Sequence, residues 1–118
     1  MQILTQSLRE KLLANGLQQQ PLRGTAREID FTPVVKLFTP DAGATWLLTE
    51  MDPDDPDVAF GLCDLGLGCP EMGNVSLSEL SVLRGPLGLT VERDLHFEAD
   101  KPLSVFAGEA RRLGRIRV

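Results

Sequence analysis

The sequence predicts an α+β fold: a small, mainly antiparallel sheet of about four or five strands, packed with an N-terminal helix, a short middle helix and a C-terminal helix. Three features lead there. Apolar residues recur at helical spacing near both ends of the chain: Leu4, Leu8, Leu12 and Leu13 with Ile3, and later Leu103, Phe106, Ala107, Ala110 and Leu113. Between them lie short β-branched and apolar runs, VVKLF, ATWLLTE and VAFGLCD. Glycine and proline separate these runs, as turn residues do between strands.

The first helix is expected over about Thr5 to Asn15. Ser7 with Glu10 gives a capping-box pattern, and Thr5 is a competing cap. Asn15-Gly16 supplies the stop, because glycine enters the left-handed conformation past a helix end. So short a helix is marginal alone and must pack on the body. Residues 17–32 are polar and lack periodicity; they read as a connection over the surface and a candidate contact segment. Pro33 opens the sheet. Val34 to Phe38 and Ala44 to Glu50 form an antiparallel hairpin across the Pro40-Asp41-Ala42-Gly43 turn signal. MDPDDPD, Met51 to Asp57, reads as an irregular loop because its two prolines cannot donate to a ladder. Val58 to Asp64 completes a meander, and Asn74 to Leu77 and Leu87 to Arg93 offer further strands. Ser76 with Glu79 starts the middle helix, which runs to about Leu83 before Arg84-Gly85-Pro86. Pro102 suits the first turn of the last helix and Gly114 its end. Residues 1–118 are read as a single domain: an N-terminal helix, a connection over 17–32 and a core over 33–116.

The net charge is −5 and the sequence pI about 4.8. That disfavours general nucleic-acid binding, which rests on neutralising phosphates with Lys and Arg. It permits a basic protein partner. No run approaches the roughly 20 apolar residues of a membrane span. Arg9, Glu10 and Lys11 fall where a signal peptide needs an apolar stretch. The expectation is therefore a cytoplasmic protein, monomer or homodimer, with no membrane contact and with Cys63 and Cys69 as reduced thiols.

Chemistry-bearing residues concentrate in the middle. Between Asp41 and Glu71 the chain carries eight acidic residues and no Lys or Arg, while Arg111, Arg112, Arg115 and Arg117 close it. Asp52, Asp54, Asp55 and Asp57 surround Pro53 and Pro56. They lack the central Gly and the terminal bidentate Glu of an EF-hand, so no metal is assigned to them. Cys63 and Cys69 are too far apart for a zinc knuckle, and His96 is the only histidine. A thiol–imidazole pair has no local support. Gly61, Gly66, Gly68 and Gly73 form a glycine ribbon, but GLCDLGLG has neither phosphate-loop order and no helix behind it. The ribbon reads as a tight turn with a bulge. Trp46, the only tryptophan, is first a packing residue and second an aromatic contact.

The run TWLLTEMDPDDPDVAFGLCDLGLGCPEMGNVSLSEL, continued by RGPLGLTVERDLHFEADKPLS, resembles the bacterial domain-of-unknown-function family DUF2958 over about Pro33 to Ile116. The resemblance implies a setting on plasmids and integrative elements, near DNA-transfer or antirestriction genes. It implies no reaction, cofactor or catalytic residue. The expected function is accordingly a non-enzymatic accessory protein that binds a basic protein partner. Asp52, Asp54, Asp55, Asp57, Asp64, Glu71 and Trp46 are the candidate contact residues. The alternatives are a metal-dependent hydrolase or nuclease using the Asp-rich segment and a nucleic-acid contact through the C-terminal arginines.

Overall fold

A computed structural model of the chain describes residues 3–118. It has five strands: β1 (Val35–Phe38), β2 (Thr45–Asp52), β3 (Asp55–Asp64), β4 (Glu71–Ser76) and β5 (Glu92–Arg93). All pair antiparallel, in the order β4-β3-β2-β1-β5. Three helices, α1 (Gln6–Gln19), α2 (Leu77–Val82) and α3 (Leu103–Leu113), complete the α+β fold.

The sheet is buried on both faces. On one face, Val35, Leu37, Trp46, Leu48, Met51 and Ala59 pack with residues of α1 and α2 such as Leu12, Leu77 and Leu80. On the other, Leu47 and Leu62 pack with Leu103, Phe106, Ala107 and Ala110 of α3. Strand alternation explains the sorting: Trp46 and Leu48 point one way, and Leu47 between them points the other.

Several sequence expectations need correction. α1 is capped by Thr5, whose Oγ1 accepts from the Leu8 N–H at 3.1 Å. Ser7 and Glu10 lie inside the helix. Nor does α1 stop at Gly16. β1 pairs only as far as Val35 with Leu48, which leaves β2 an open edge beyond that point. α1 covers this edge. Asn15 donates to the Thr49 carbonyl at 2.9 Å. A Cβ on Gly16 would lie 1.8 Å from the Met51 carbonyl oxygen. Glycine is used here for close backbone approach, not for a turn, so the helix passes straight through it.

The Met51–Asp57 segment is not an irregular loop. Asp52 pairs with Asp55 across a two-residue turn at Pro53 and Asp54. Met51 next pairs with Ala59, so Pro56, Asp57 and Val58 bulge out of the β2 ladder. Proline is harmless in a bulge because no N–H is required there. β4 begins at Glu71 and is longer than the predicted Asn74–Leu77 strand. The fifth strand shrinks to Glu92–Arg93. Its expected first half instead folds round Asp41, whose Oδ2 accepts from the Leu87 and Leu89 N–H groups at 2.7 and 3.3 Å. Pro102 is the N-cap of α3, not part of its first turn, while Gly114 ends the helix in the left-handed conformation at φ 77°.

Candidate functional site

β2 is where the ladder breaks its own rule. Leu48 pairs with Gly61, and Glu50 pairs with Phe60, leaving Thr49 without a partner. This bulge shifts the alternation by one residue. Unshifted, Glu50 would point to the face that buries Trp46, Leu48 and Met51. Shifted, Thr49 and Glu50 both border a cavity of about 350 Å³ on the α3 face. Ile29, Phe31, Phe60, Met72 and Leu103 give it apolar surface.

The connection predicted over 17–32 walls this cavity, and it is pinned at both flanks. The buried Gln19 amide clamps Ile29, donating to its carbonyl at 2.8 Å and accepting from its N–H at 2.9 Å. Asp30 caps α3, with one carboxylate oxygen accepting from the Ser104 N–H at 3.1 Å and the other from the Ser104 hydroxyl. The Leu103 N–H donates to the Phe31 carbonyl at 2.9 Å. Between these anchors, Arg23 to Glu28 is exposed. The Arg23 Nη2 donates to Glu50 Oε2 at 2.8 Å, and its guanidinium lies 5.9 Å from the Phe60 ring centre. The Glu50 side chain is 3% exposed and that of Arg23 48%. A buried carboxylate needs such a partner, because desolvation otherwise costs several kcal/mol.

A second, smaller pocket on the hairpin side is also bordered by Arg23, Glu50 and Phe60, and Asp52 stands at its rim. At the hairpin tip the carboxylates are held by local bonds. Asp52 Oδ1 accepts from the Asp54 N–H at 2.9 Å, and Asp55 Oδ1 from the Asp57 N–H at 3.3 Å. Gln20 Nε2 donates to Asp54 Oδ2 at 2.9 Å. Among the described residues the ion pairs are Arg23–Glu50, Lys36–Asp94 and Lys101–Glu109; none involves this tip.

The other predicted contact residues go elsewhere. Asp57 accepts from the Ser76 hydroxyl at 2.7 Å and from the Ser78 N–H and hydroxyl at 2.9 Å each, which ties the bulge to the start of α2. The Ser76 hydroxyl, then the two Ser78 donors, hold its carboxyl below the ordinary aspartate range. Asp64 and Glu71 sit at the far end of the sheet: Asp64 pairs with Thr45, which is roughly 20–25 Å along β2 from Asp52 at the usual strand rise. Asp64 is 1% exposed and accepts from the N–H groups of Gly66 and Ile116 at 2.9 and 2.8 Å. Trp46 is 2% exposed at that same end, paired with Leu37 and Cys63. The aspartate turn and the glycine ribbon therefore occupy opposite ends of the sheet. Gly66 and Gly68 do take left-handed φ values of 81° and 85°, as the ribbon's composition predicts.

Among the described residues, no group of three His, Cys, Asp or Glu side chains is placed to hold a metal ion. Cys63 is half-buried and burial pushes its thiol up; Cys69 and His96 are exposed. No described helix is long and apolar enough to cross a membrane.

Thr49, Glu50, Phe60 and Arg23 escaped the sequence reading. The signal for the bulge was present in WLLTEM, where two polar residues in succession separate apolar ones and break the alternation of a strand.

The fold and site together describe a sheet protein with one acidic, cleft-bearing end. A family model described as "Protein of unknown function (DUF2958)" matches residues 3–117, and the chain belongs to that family. The match takes in α1, which precedes the Pro33–Ile116 region of resemblance. No match was found among curated proteins or among solved structures.

Proposed function

We propose that the protein is a non-enzymatic docking module that receives a basic protein partner at the hairpin end, with Asp52, Asp54 and Asp55 as the leading contacts. One observation carries this reading: three carboxylates are held by hydrogen bonds at one hairpin tip, Asp52 and Asp55 by the backbone two residues on and Asp54 by Gln20, with no cation paired to them among the described residues. Pre-organised charge of one sign speeds encounter and selects partners of the other sign. The C-terminal arginines deepen the polarity. α3 starts at the cleft with Leu103 and runs toward Gly114, near the ribbon residue Gly68, so Arg111 and Arg112 lie away from the acidic end. An accessory role on a bacterial mobile element follows from the family resemblance and gives the partner's setting.

The experiment is affinity capture from a host lysate at low and moderate salt. The comparison variant carries Asp52→Asn, Asp54→Asn and Asp55→Asn together. The reading expects a basic protein retained by the parent, lost from the variant and released as salt rises. The same partners held by both forms would overturn it.

A further inference from the structure

We propose that the cleft behind the hairpin receives an arginine side chain of that partner, with Glu50 as its counter-ion, and that Arg23 holds the place in the free protein. The inference rests on the docking reading and names the group recognised.

Glu50 is the starting point. It is a charged side chain, almost wholly buried, that borders both a cavity of about 350 Å³ and a second pocket of about 140 Å³. An ionised carboxylate offers about four acceptor positions. Here it accepts from the Arg23 guanidinium at 2.8 Å and from the Thr49 hydroxyl at 3.3 Å. The second bond is contested, because the Phe60 carbonyl lies at the same 3.3 Å from that hydroxyl, which has one proton to give. A buried carboxylate with so few donors has capacity for more.

Arg23 shows what chemistry satisfies it. Its guanidinium rests on Glu50 and near the Phe60 ring, yet its side chain is half exposed and its stretch of chain, to Glu28, is exposed throughout. Such a group is readily rehydrated, but it can leave only as another cation takes its place, because Glu50 cannot be left bare. The surroundings select the replacement. Glu28, Asp30 and Asp52 add negative charge at the edges, and Ile29, Met72 and Leu103 supply apolar surface. A planar fork on an apolar stem fits that combination. An anionic ligand would meet repulsion, and a lysine could not offer two parallel donors.

The test is amide-resolved NMR titration of the intact chain with the blocked dipeptide acetyl-Leu-Arg-amide. Its citrulline counterpart, which is neutral and nearly isosteric, and free agmatine form the other arms. Expected are shifts at Thr49, Glu50 and Phe60, with citrulline binding weaker by about tenfold or more. Glu50→Gln, checked for folding by thermal unfolding, should weaken the arginine peptide by about tenfold as well. Arg23→Gln removes the internal competitor and should tighten binding several-fold, an effect that a purely structural Arg23 would not produce. Equal binding of the citrulline peptide, or no tightening in Arg23→Gln, would overturn the proposal. Agmatine binding as tightly as the dipeptide would assign the cleft to a free guanidino compound and overturn the partner source. Shifts confined to Asp52–Asp55 would sink the arginine cleft and leave the docking reading standing.

Discussion

Gly16 and Gly108 give a paired test of how α1 sits on the sheet. Both are helical glycines, and both become alanine in the experiment. In α3, a Cβ on Gly108 meets nothing within 4 Å. Gly108→Ala should therefore stabilise the protein by about 0.5–1 kcal/mol, the ordinary helix-propensity gain. In α1, the same change places a Cβ 1.8 Å from the Met51 carbonyl oxygen, a backbone atom that cannot rotate aside. The helix would have to lift by more than about 1 Å, and strain of that kind costs roughly 1–3 kcal/mol. Lifting also stretches the Asn15–Thr49 bond and disturbs the Gln19 clamp on Ile29, at about 1 kcal/mol each. Set against the propensity gain, Gly16→Ala should cost about 2–4 kcal/mol, lowering Tm by roughly 8–15 °C for a chain of this size. Urea and thermal unfolding of the parent and both variants measure it. A Gly16→Ala protein as stable as its parent would refute the placement of α1 against the open edge of β2.

Other consequences follow from single contacts. Asp64→Ala removes the acceptor for the Gly66 and Ile116 N–H groups and should cost about 1–3 kcal/mol, with faster hydrogen exchange at Ile116; unchanged exchange there would count against the tether. Asp57 is held low by Ser76 and Ser78, and Asp94 by the His96 N–H and then by Lys36. Both carboxyls are thus depressed on folding. Their contribution is present above the unfolded aspartate value of about 3.9 and is lost as pH falls below it. Denaturant midpoints should accordingly drop as pH falls below about 4, less steeply when Asp57 is changed to Asn. A thiol reagent at neutral pH should modify exposed Cys69 first and Cys63 slowly, because burial raises the Cys63 thiol; equal rates would contradict its half-buried position.

The architecture was legible where short-range rules govern. The Val34–Glu50 hairpin, the Ser76 cap and the Gly114 stop all follow from local chemistry and stand where the residues place them. The sequence misleads where one residue type serves two purposes. Gly16 resembles a helix stop but is a close-packing glycine, and which it is depends on Met51, remote in sequence. Pro53 and Pro56 resemble strand breakers but occupy a turn and a bulge, the two places where a hairpin tolerates them. The same limit applies to the site. Acidic content pointed to the segment 52–57, and three of its carboxylates do share the hairpin tip. Whether Asp57 is displayed or consumed as a tie to α2 depends on Ser76 and Ser78, which only the fold brings near. Glu50 was invisible because its importance lies in a one-residue shift of register, which no count of acidic residues reports.

The exposed side chains also define a rival surface. The ribbon end displays Leu65, Leu67, Leu83 and Leu87, with Leu67 and Leu87 each 80% exposed. Hydrogen–deuterium exchange of the chain, alone and in complex with the captured partner, separates the two ends directly. Protection on binding should appear over residues 20–30, 49–60 and 72–74, which are the wall of the cleft, the hairpin and the part of β4 beside them. Protection confined to residues 65–69 and 82–89, with the hairpin unchanged, would contradict the account.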